Sequence, residues 1–278
     1  MTVASPSLRW REYAIEAWAL GSFMISACAF GVLVFHPDSP LAHAALAPSS
    51  RRALMGVAMG LTLVVLVYSP WGRRSGAHMN PAVTLTFWRL GKVASADLVG
   101  YIVAQFVGGA AGVWIAAAVL GMALQHPSVR YVVTEPGAAG VWAAFAGETA
   151  IALVQMRLVL ALSSSMQWRR YTGVCAALGV ALYITVESPI SGMSMNPARS
   201  VASAIVAHSW RAIWVYFAAP IAGMALAAAT FIRQRGAIAA PCGKMMHSTP
   251  CHFCDYAALH PPIRKASSPS ESAPRAPV

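Results

Sequence analysis

Apolar residues run along this chain in long blocks, separated by short polar or basic stretches. Six such blocks can be drawn, at 13–35, 53–70, 96–120, 141–163, 172–187 and 212–232. About 20 apolar residues are needed for a helix to cross roughly 30 Å of hydrocarbon, so each block is predicted to span a membrane. Two shorter apolar pieces, at 81–90 and 197–207, are too short to cross and read as re-entrant segments. The order is long, long, short, long, and then the same again.

Three pairs of features mark this order as an internal repeat. GAHMNPAVT at 76–84 recurs as GMSMNPARS at 192–200, Glu16 of the first block is matched by Glu148 of the fourth, and AQFVGGAAG at 104–112 is echoed by AAPIAGMA at 218–225. Three crossings per half is an odd number, so the second half enters from the opposite side. The repeat is therefore inverted, and its shared site is predicted near the midplane. The expected organisation is an N-terminal segment (1–12), a first repeat (13–122), an outer connecting loop (123–140), a second repeat (141–232) and a tail (233–278).

Composition strengthens the membrane reading. The 278 residues are 58% hydrophobic and only 10% charged, against about 25% charged in soluble domains. The net charge of +11 does not point to nucleic acid, because the basic residues gather at block ends rather than on one face. In the predicted topology Arg9, Arg11, Arg73, Arg74, Arg233 and Arg235 share one side with Arg89, Lys92, Arg169 and Arg170. Arg51, Arg52, Arg130 and Arg211 fall on the other. The positive-inside rule then places both termini in the cytoplasm, with the chain in the cell's inner (plasma) membrane. No cleavable signal peptide is expected, since the first block is too long for one and carries Glu16. Cys28 and Cys175 lie in apolar blocks and the other cysteines in the tail, which is not the framework of a disulfide-bonded secreted domain.

Each Asn-Pro-Ala box reads as the start of a half-helix. Asn80 and Asn196 are favourable N-caps, Pro81 and Pro197 suit the first helical position, and Ala82 and Ala198 follow. A helix that starts inside a membrane leaves orphan N–H groups, tolerable only where protein or water lines a cavity. The boxes thus imply a pore. Each Asn oxygen is expected to cap its own helix, leaving its NH2 to donate into the pore. A water held by two such donors points its hydrogens outward and breaks a proton wire, while the two half-helix dipoles oppose cations.

SGAHMNPAVT at 75–84 and SGMSMNPARS at 191–200 resemble the two signature loops of the aquaporin, or major intrinsic protein, family. The resemblance covers about residues 10–232 and includes the paired glutamates and the glycine-rich third helix. It implies an all-α membrane fold, a bundle of six transmembrane helices plus two re-entrant half-helices, with one pore per protomer in a homotetramer. It also implies that Glu16 and Glu148 brace the re-entrant loops; for Glu16, proximity to a helix start is an alternative reason for a carboxylate. The family's outer filter maps onto Met59, Ile184, Met193 and Arg199, the Met59 match requiring one extra residue in SPWGRRSG at 69–76. Strict water channels carry Phe and His where this chain has Met59 and Ile184. Two flexible Met side chains leave the constriction either wider or pinched. Ser200, Ala204, Tyr216 and Phe217 instead look like water channels, where glycerol facilitators have Asp at the position of Ser200.

Two features lie outside that pattern. Arg157 falls inside the fourth block and is expected either to snorkel toward the cytoplasm or to make a polar contact between protomers. The tail, largely disordered by composition, contains Cys242, His247, Cys251, His252, Cys254 and His260. Cys242, His247, Cys251 and Cys254 are candidate ligands for Zn2+ or copper, although no cofactor is required by the fold. No ATP-binding motif or catalytic constellation is found, so an enzyme is not expected. The functional expectation is a passive channel for water and small uncharged solutes such as glycerol, excluding protons and ions. The alternative is a poorly conducting membrane protein of the same fold that senses metal or redox state through its tail.

Overall fold

The computed structural model describes residues 9–44, 46–240, 242–245 and 253–254. Among these residues all the extended regular elements are helices. Eight carry the fold: α1 (Trp10–Phe35), α2 (Pro48–Tyr68), α3 (Pro81–Arg89), α4 (Ser95–Leu120), α5 (Val141–Ser163), α6 (Thr172–Val186), α7 (Pro197–Ala207) and α8 (Val215–Arg235). α1, α2, α4, α5 and α8 are long and apolar enough to cross a membrane. α6 has 15 residues, about 22 Å at 1.5 Å per residue, and so reaches less far than the others. α3 and α7 occupy the two short apolar pieces.

Two boundaries differ from the hydropathy reading for a local reason. α2 begins at Pro48 rather than at 53, because Pro at N1 starts a first turn of Ser and Arg that hydropathy does not register. α8 continues to Arg235, since basic residues in a last turn complement the helix dipole.

The helices pack as three intimate pairs, α1 with α4, α5 with α8 and α2 with α6. Glycine permits each approach. A β-carbon on Gly108 would run into the Ala17 carbonyl, one on Gly223 into Thr149, and one on Gly56 into Ala181. Gly108 and Gly223 belong to the echoed glycine-rich runs, so the repeat uses them alike. With lipid as solvent, such backbone contact supplies the dispersion that a hydrophobic driving force cannot. The outward surface stays apolar, as at Leu61, Val107 and Leu178.

The six crossings return both ends to one face, here termed the terminal face. Arg9 and Tyr13 at the start of α1 meet Asp97 at the start of α4 there, at 3.6 and 2.9 Å. The 123–140 connection lies at the opposite, distal face. Arg157 sits in the half of α5 nearer the terminal face, and its guanidinium donates to Thr230 Oγ1 (3.2 Å) and Gln234 Oε1 (2.8 Å) of α8 in the same chain. It reaches toward the terminal face, with polar partners supplied by α8.

Candidate pore

The two boxes are built by one recipe used twice. A short helical turn precedes each loop, Pro70–Ser75 in one and Ser188–Ser191 in the other. Each turn stops at a left-handed glycine, Gly76 (φ 101°) or Gly192 (φ 80°), the conformation only glycine adopts without strain. The chain then visits positive φ at Ala77 and Met79 in one loop, and at Met193 and Met195 in the other. Non-glycine residues pay about 1–3 kcal/mol each for this, so something must hold them.

What holds them is a buried carboxylate from the neighbouring helix. Glu16 Oε1 accepts the Ser75 hydroxyl (2.8 Å) and the His78 N–H (3.1 Å), and Oε2 accepts the Met79 N–H (2.6 Å). Glu148 Oε1 accepts the Ser191 hydroxyl (2.6 Å) and the Ser194 N–H (2.7 Å), and Oε2 accepts the Met195 N–H (2.7 Å). Successive N–H groups converging on one anion form the concave arrangement that favours negative charge. Ser75 Oγ accepts the Ala77 N–H and Ser191 Oγ the Met193 N–H, at 3.1 and 3.0 Å. Tyr101 and Tyr216 close each turn by donating to the Ser75 and Ser191 carbonyls, at 2.6 and 2.5 Å. Proximity to the start of α1 therefore does not account for Glu16, whose bonds among the described residues run to the loop and to Gln105.

Beyond the loops, Asn80 Oδ1 accepts the Ala82 N–H (2.9 Å), and Asn196 Oδ1 those of Ala198 (3.0 Å) and Arg199 (3.3 Å). The NH2 groups are not wholly free, as the sequence suggested. Asn80 Nδ2 donates to the Met195 carbonyl and Asn196 Nδ2 to the Met79 carbonyl, both at 2.7 Å. An amide has two hydrogens, so each asparagine clasps the opposite loop with one and keeps the other for the cavity.

That cavity, about 600 Å³, contains both asparagines in its wall, and Met59, Ile184, Met193 and Arg199 line it as well. Arg199 is steered by a feature the sequence did not reveal. Arg130, Tyr131 and Val132 all have positive φ (44°, 55° and 50°), which turns the Val132 carbonyl to accept from Arg199 Nη1 at 2.8 Å. Arg130 is tied in turn to Glu135 at 2.9 Å. Burial pushes the Glu135 carboxyl up, but the Ser209 hydroxyl and Arg130 outweigh it and hold the group below its ordinary value. Thioethers are the other surprise. Met55, Met79, Met156, Met195, Met224 and Met245 join Met59 and Met193 in the wall, making it apolar and adaptable between its few polar points.

Part of the tail packs at the terminal end of this cavity, against the expectation of general disorder. Gly243 O lies 2.5 Å from His78 Nε2, and Met245 N–H donates to Gly76 O at 3.3 Å. Phe253 is fully buried, stacked on His78 with centroids 5.8 Å apart. Burial pushes the neighbouring Lys92 ammonium below its ordinary range, with Cys242 opposing the shift. Of the candidate metal ligands, Cys242 and Cys254 are described, while His247 and Cys251 lie outside the described residues. Among the described residues no group of three or more His, Cys, Asp or Glu is placed to hold a metal.

The Major intrinsic protein family model matches residues 4–231. A probable aquaporin of Arabidopsis thaliana, NIP7-1, is 32% identical over 181 residues, 63% of this chain and 62% of that protein. Aquaporin Z of Photorhabdus laumondii subsp. laumondii is 28% identical over 208 residues, 69% of this chain and 87% of its own length. The matches thus take in about 60% of the length of the plant relatives. In fold, the chain is similar to the X-ray structure of the aquaglyceroporin from Plasmodium falciparum, with a TM-score of 0.65 and 16% identity, covering 81% of this chain and 96% of that one.

Proposed function

As the chain belongs to the major intrinsic protein family, we propose that it is a passive channel for water and small uncharged solutes such as glycerol, closed to protons and ions. It is a multi-pass membrane protein; in this reading it sits in the plasma membrane as a homotetramer, with the terminal face in the cytoplasm. The observation that carries the reading is the meeting of two half-helix N-termini, Asn80, Asn196 and Arg199 in one cavity wall. A permeating oxygen accepts from the second N–H of each asparagine. Its own hydrogens then point away along both arms of the file, so protons have no wire to follow. The positive ends of α3 and α7 and the Arg199 guanidinium raise the energy of any cation. Water and hydroxylated solutes replace their lost hydrogen bonds there, and ions do not.

Met59 and Ile184 favour admission of a solute larger than water. Neither donates a hydrogen bond, and a thioether chain can move aside for a carbon backbone. Stopped-flow light scattering on proteoliposomes, under sucrose and then glycerol gradients, tests this. Permeability to both well above that of empty liposomes is expected; values equal to empty liposomes for every solute overturn the channel reading.

A second reading, low basal conduction controlled by the tail, is favoured by one observation. Met245 lines the cavity beside His78 and Met79, and Gly243 meets the His78 ring. Deleting residues 237–278 is expected to raise water permeability at equal protein loading. Unchanged permeability removes this reading and leaves the first intact.

A further inference from the structure

The brace serine of the second loop has a second carboxyl beside it, which is not found at Ser75 among the described residues of the first. Glu187, the residue after α6, is 5% exposed. Its Oε2 lies 2.8 Å from Ser191 Oγ, and the same Oγ lies 2.6 Å from Glu148 Oε1 while accepting the Met193 N–H at 3.0 Å. A hydroxyl has one proton to donate, yet two carboxyl oxygens face this one within hydrogen-bond distance. Two ionised carboxylates cannot both be satisfied, so one of the pair carries a proton.

The surroundings assign it. Glu148 already accepts two backbone N–H groups, from Ser194 and Met195, which stabilise its charged form. Glu187 has no backbone donor among its described bonds, its Oε1 has no partner among the described residues, and no ion pair of the described residues includes it. As an acid, Glu187 donates to Ser191, and Ser191 donates to Glu148. Every valence of the serine is then used. Room for the carboxyl is left by Gly147, where a β-carbon would press on Glu187 Oε1 at 2.6 Å. The charged and titratable groups facing this cluster are Glu148 from α5, Arg199 from α7 and Tyr216 from α8, with Glu135 from the connecting loop. Arg52 of α2 is engaged nearby by the Thr185 carbonyl at 3.0 Å.

We propose that Glu187 is a positioning residue of the conduction path: as a neutral acid it completes the Glu187–Ser191–Glu148 chain that fixes Met193 in the filter, and its deprotonation lowers permeability. This rests on the channel reading. When Glu187 ionises, two like charges compete for one hydroxyl, Ser191 is released, and the Met193 N–H loses its acceptor. The Met193 side chain is then free to enter the constriction.

Water permeability of proteoliposomes between about pH 6 and pH 10, above the range where ordinary carboxyls titrate, tests the proposal against Glu187→Gln, whose other titrating groups are those of wild type. The amide can still donate to Ser191 but cannot ionise. Wild type is expected to lose about fivefold on the alkaline side, the factor matching one hydrogen bond, while Glu187→Gln stays flat. Infrared difference spectra supply a readout independent of conduction: a protonated carboxylic acid band at neutral pH, lost at alkaline pH and missing from Glu187→Gln. Absence of that band in a conducting protein overturns the proton assignment and leaves the channel reading standing. Presence of the band in a protein that conducts nothing overturns the channel reading and the positioning role with it, and leaves the proton assignment standing. A band that disappears at alkaline pH with no change in permeability overturns the positioning role.

Discussion

The two Asn-Pro-Ala loops share a brace and differ in what surrounds it. Ser75 and Ser191, Tyr101 and Tyr216, Glu16 and Glu148 make the same bonds in the same order, to within a few tenths of an ångström. Around the first loop, Gln105 donates to Glu16 (2.9 Å) and to Thr84 (3.1 Å), Thr84 meets His78, and the tail covers His78. Around the second, hydroxyls run from Ser194 through Ser200 to Thr134, and Glu187 stands beside Ser191. The shared bonds set backbone geometry. The differences give each face its own chemistry, a sealed amide and imidazole cluster on the terminal side and a proton-bearing one on the distal side.

The comparison breaks most severely if a brace is removed. Glu16→Ala and Glu148→Ala each strip a buried carboxylate from a hydroxyl and two N–H groups, at about 1–3 kcal/mol per orphaned donor. Both are expected to lose most folded protein, Glu16→Ala the more because Gln105 also loses one of its two acceptors; yield by size exclusion in detergent measures it. A Glu148→Ala protein as stable as wild type would show that Ser191 and Tyr216 suffice.

A smaller effect isolates the asymmetry. Gln105→Leu removes a donor from the first loop alone and is expected to cost about 1–2 kcal/mol, read as a lower thermal midpoint. The pH response that belongs to Glu187 is expected to survive this change. The smallest effect tests the symmetry itself. Tyr101→Phe and Tyr216→Phe each delete one hydrogen bond to a serine carbonyl, at about 1 kcal/mol. The two midpoints are expected to fall together, and their losses to add in the double variant, as sites in separate loops should. A marked inequality would show that one turn relies on its tyrosine and the other on neighbours.

Sequence patterns carried the architecture because hydropathy, repeat and capping are local signals. Asn80 and Asn196 announced N-caps, Pro81 and Pro197 announced helix starts, and the glycine-rich runs at 104–112 and 218–225 announced the repeat, though not the close packing that Gly108 and Gly223 permit. Glu187 was missed because a lone acidic residue at the end of an apolar block reads as a boundary. Only folding brings it to Ser191. The Val132 carbonyl was hidden for a similar reason: nothing in RYV signals three consecutive left-handed residues. The thioethers of Met156 and Met224 belong to ordinary apolar stretches, and which wall they face depends on helix rotation. For the tail, composition argued against a core of its own. It could not reveal that 242–245 and Phe253 pack onto someone else's surface, the first loop.

The reciprocal clasp between Asn80 and the Met195 carbonyl, and between Asn196 and the Met79 carbonyl, has a consequence for biogenesis. A ribosome delivers the first half of this chain well before the second. At that stage the Met79 carbonyl and one N–H of Asn80 lack their partners, since both are made by residues not yet inserted. Polar groups without partners are not left in hydrocarbon. The first re-entrant loop must therefore wait in a wet or protein-lined setting until the second arrives, and the two half-helices lock home in a single late step that neither half can complete alone.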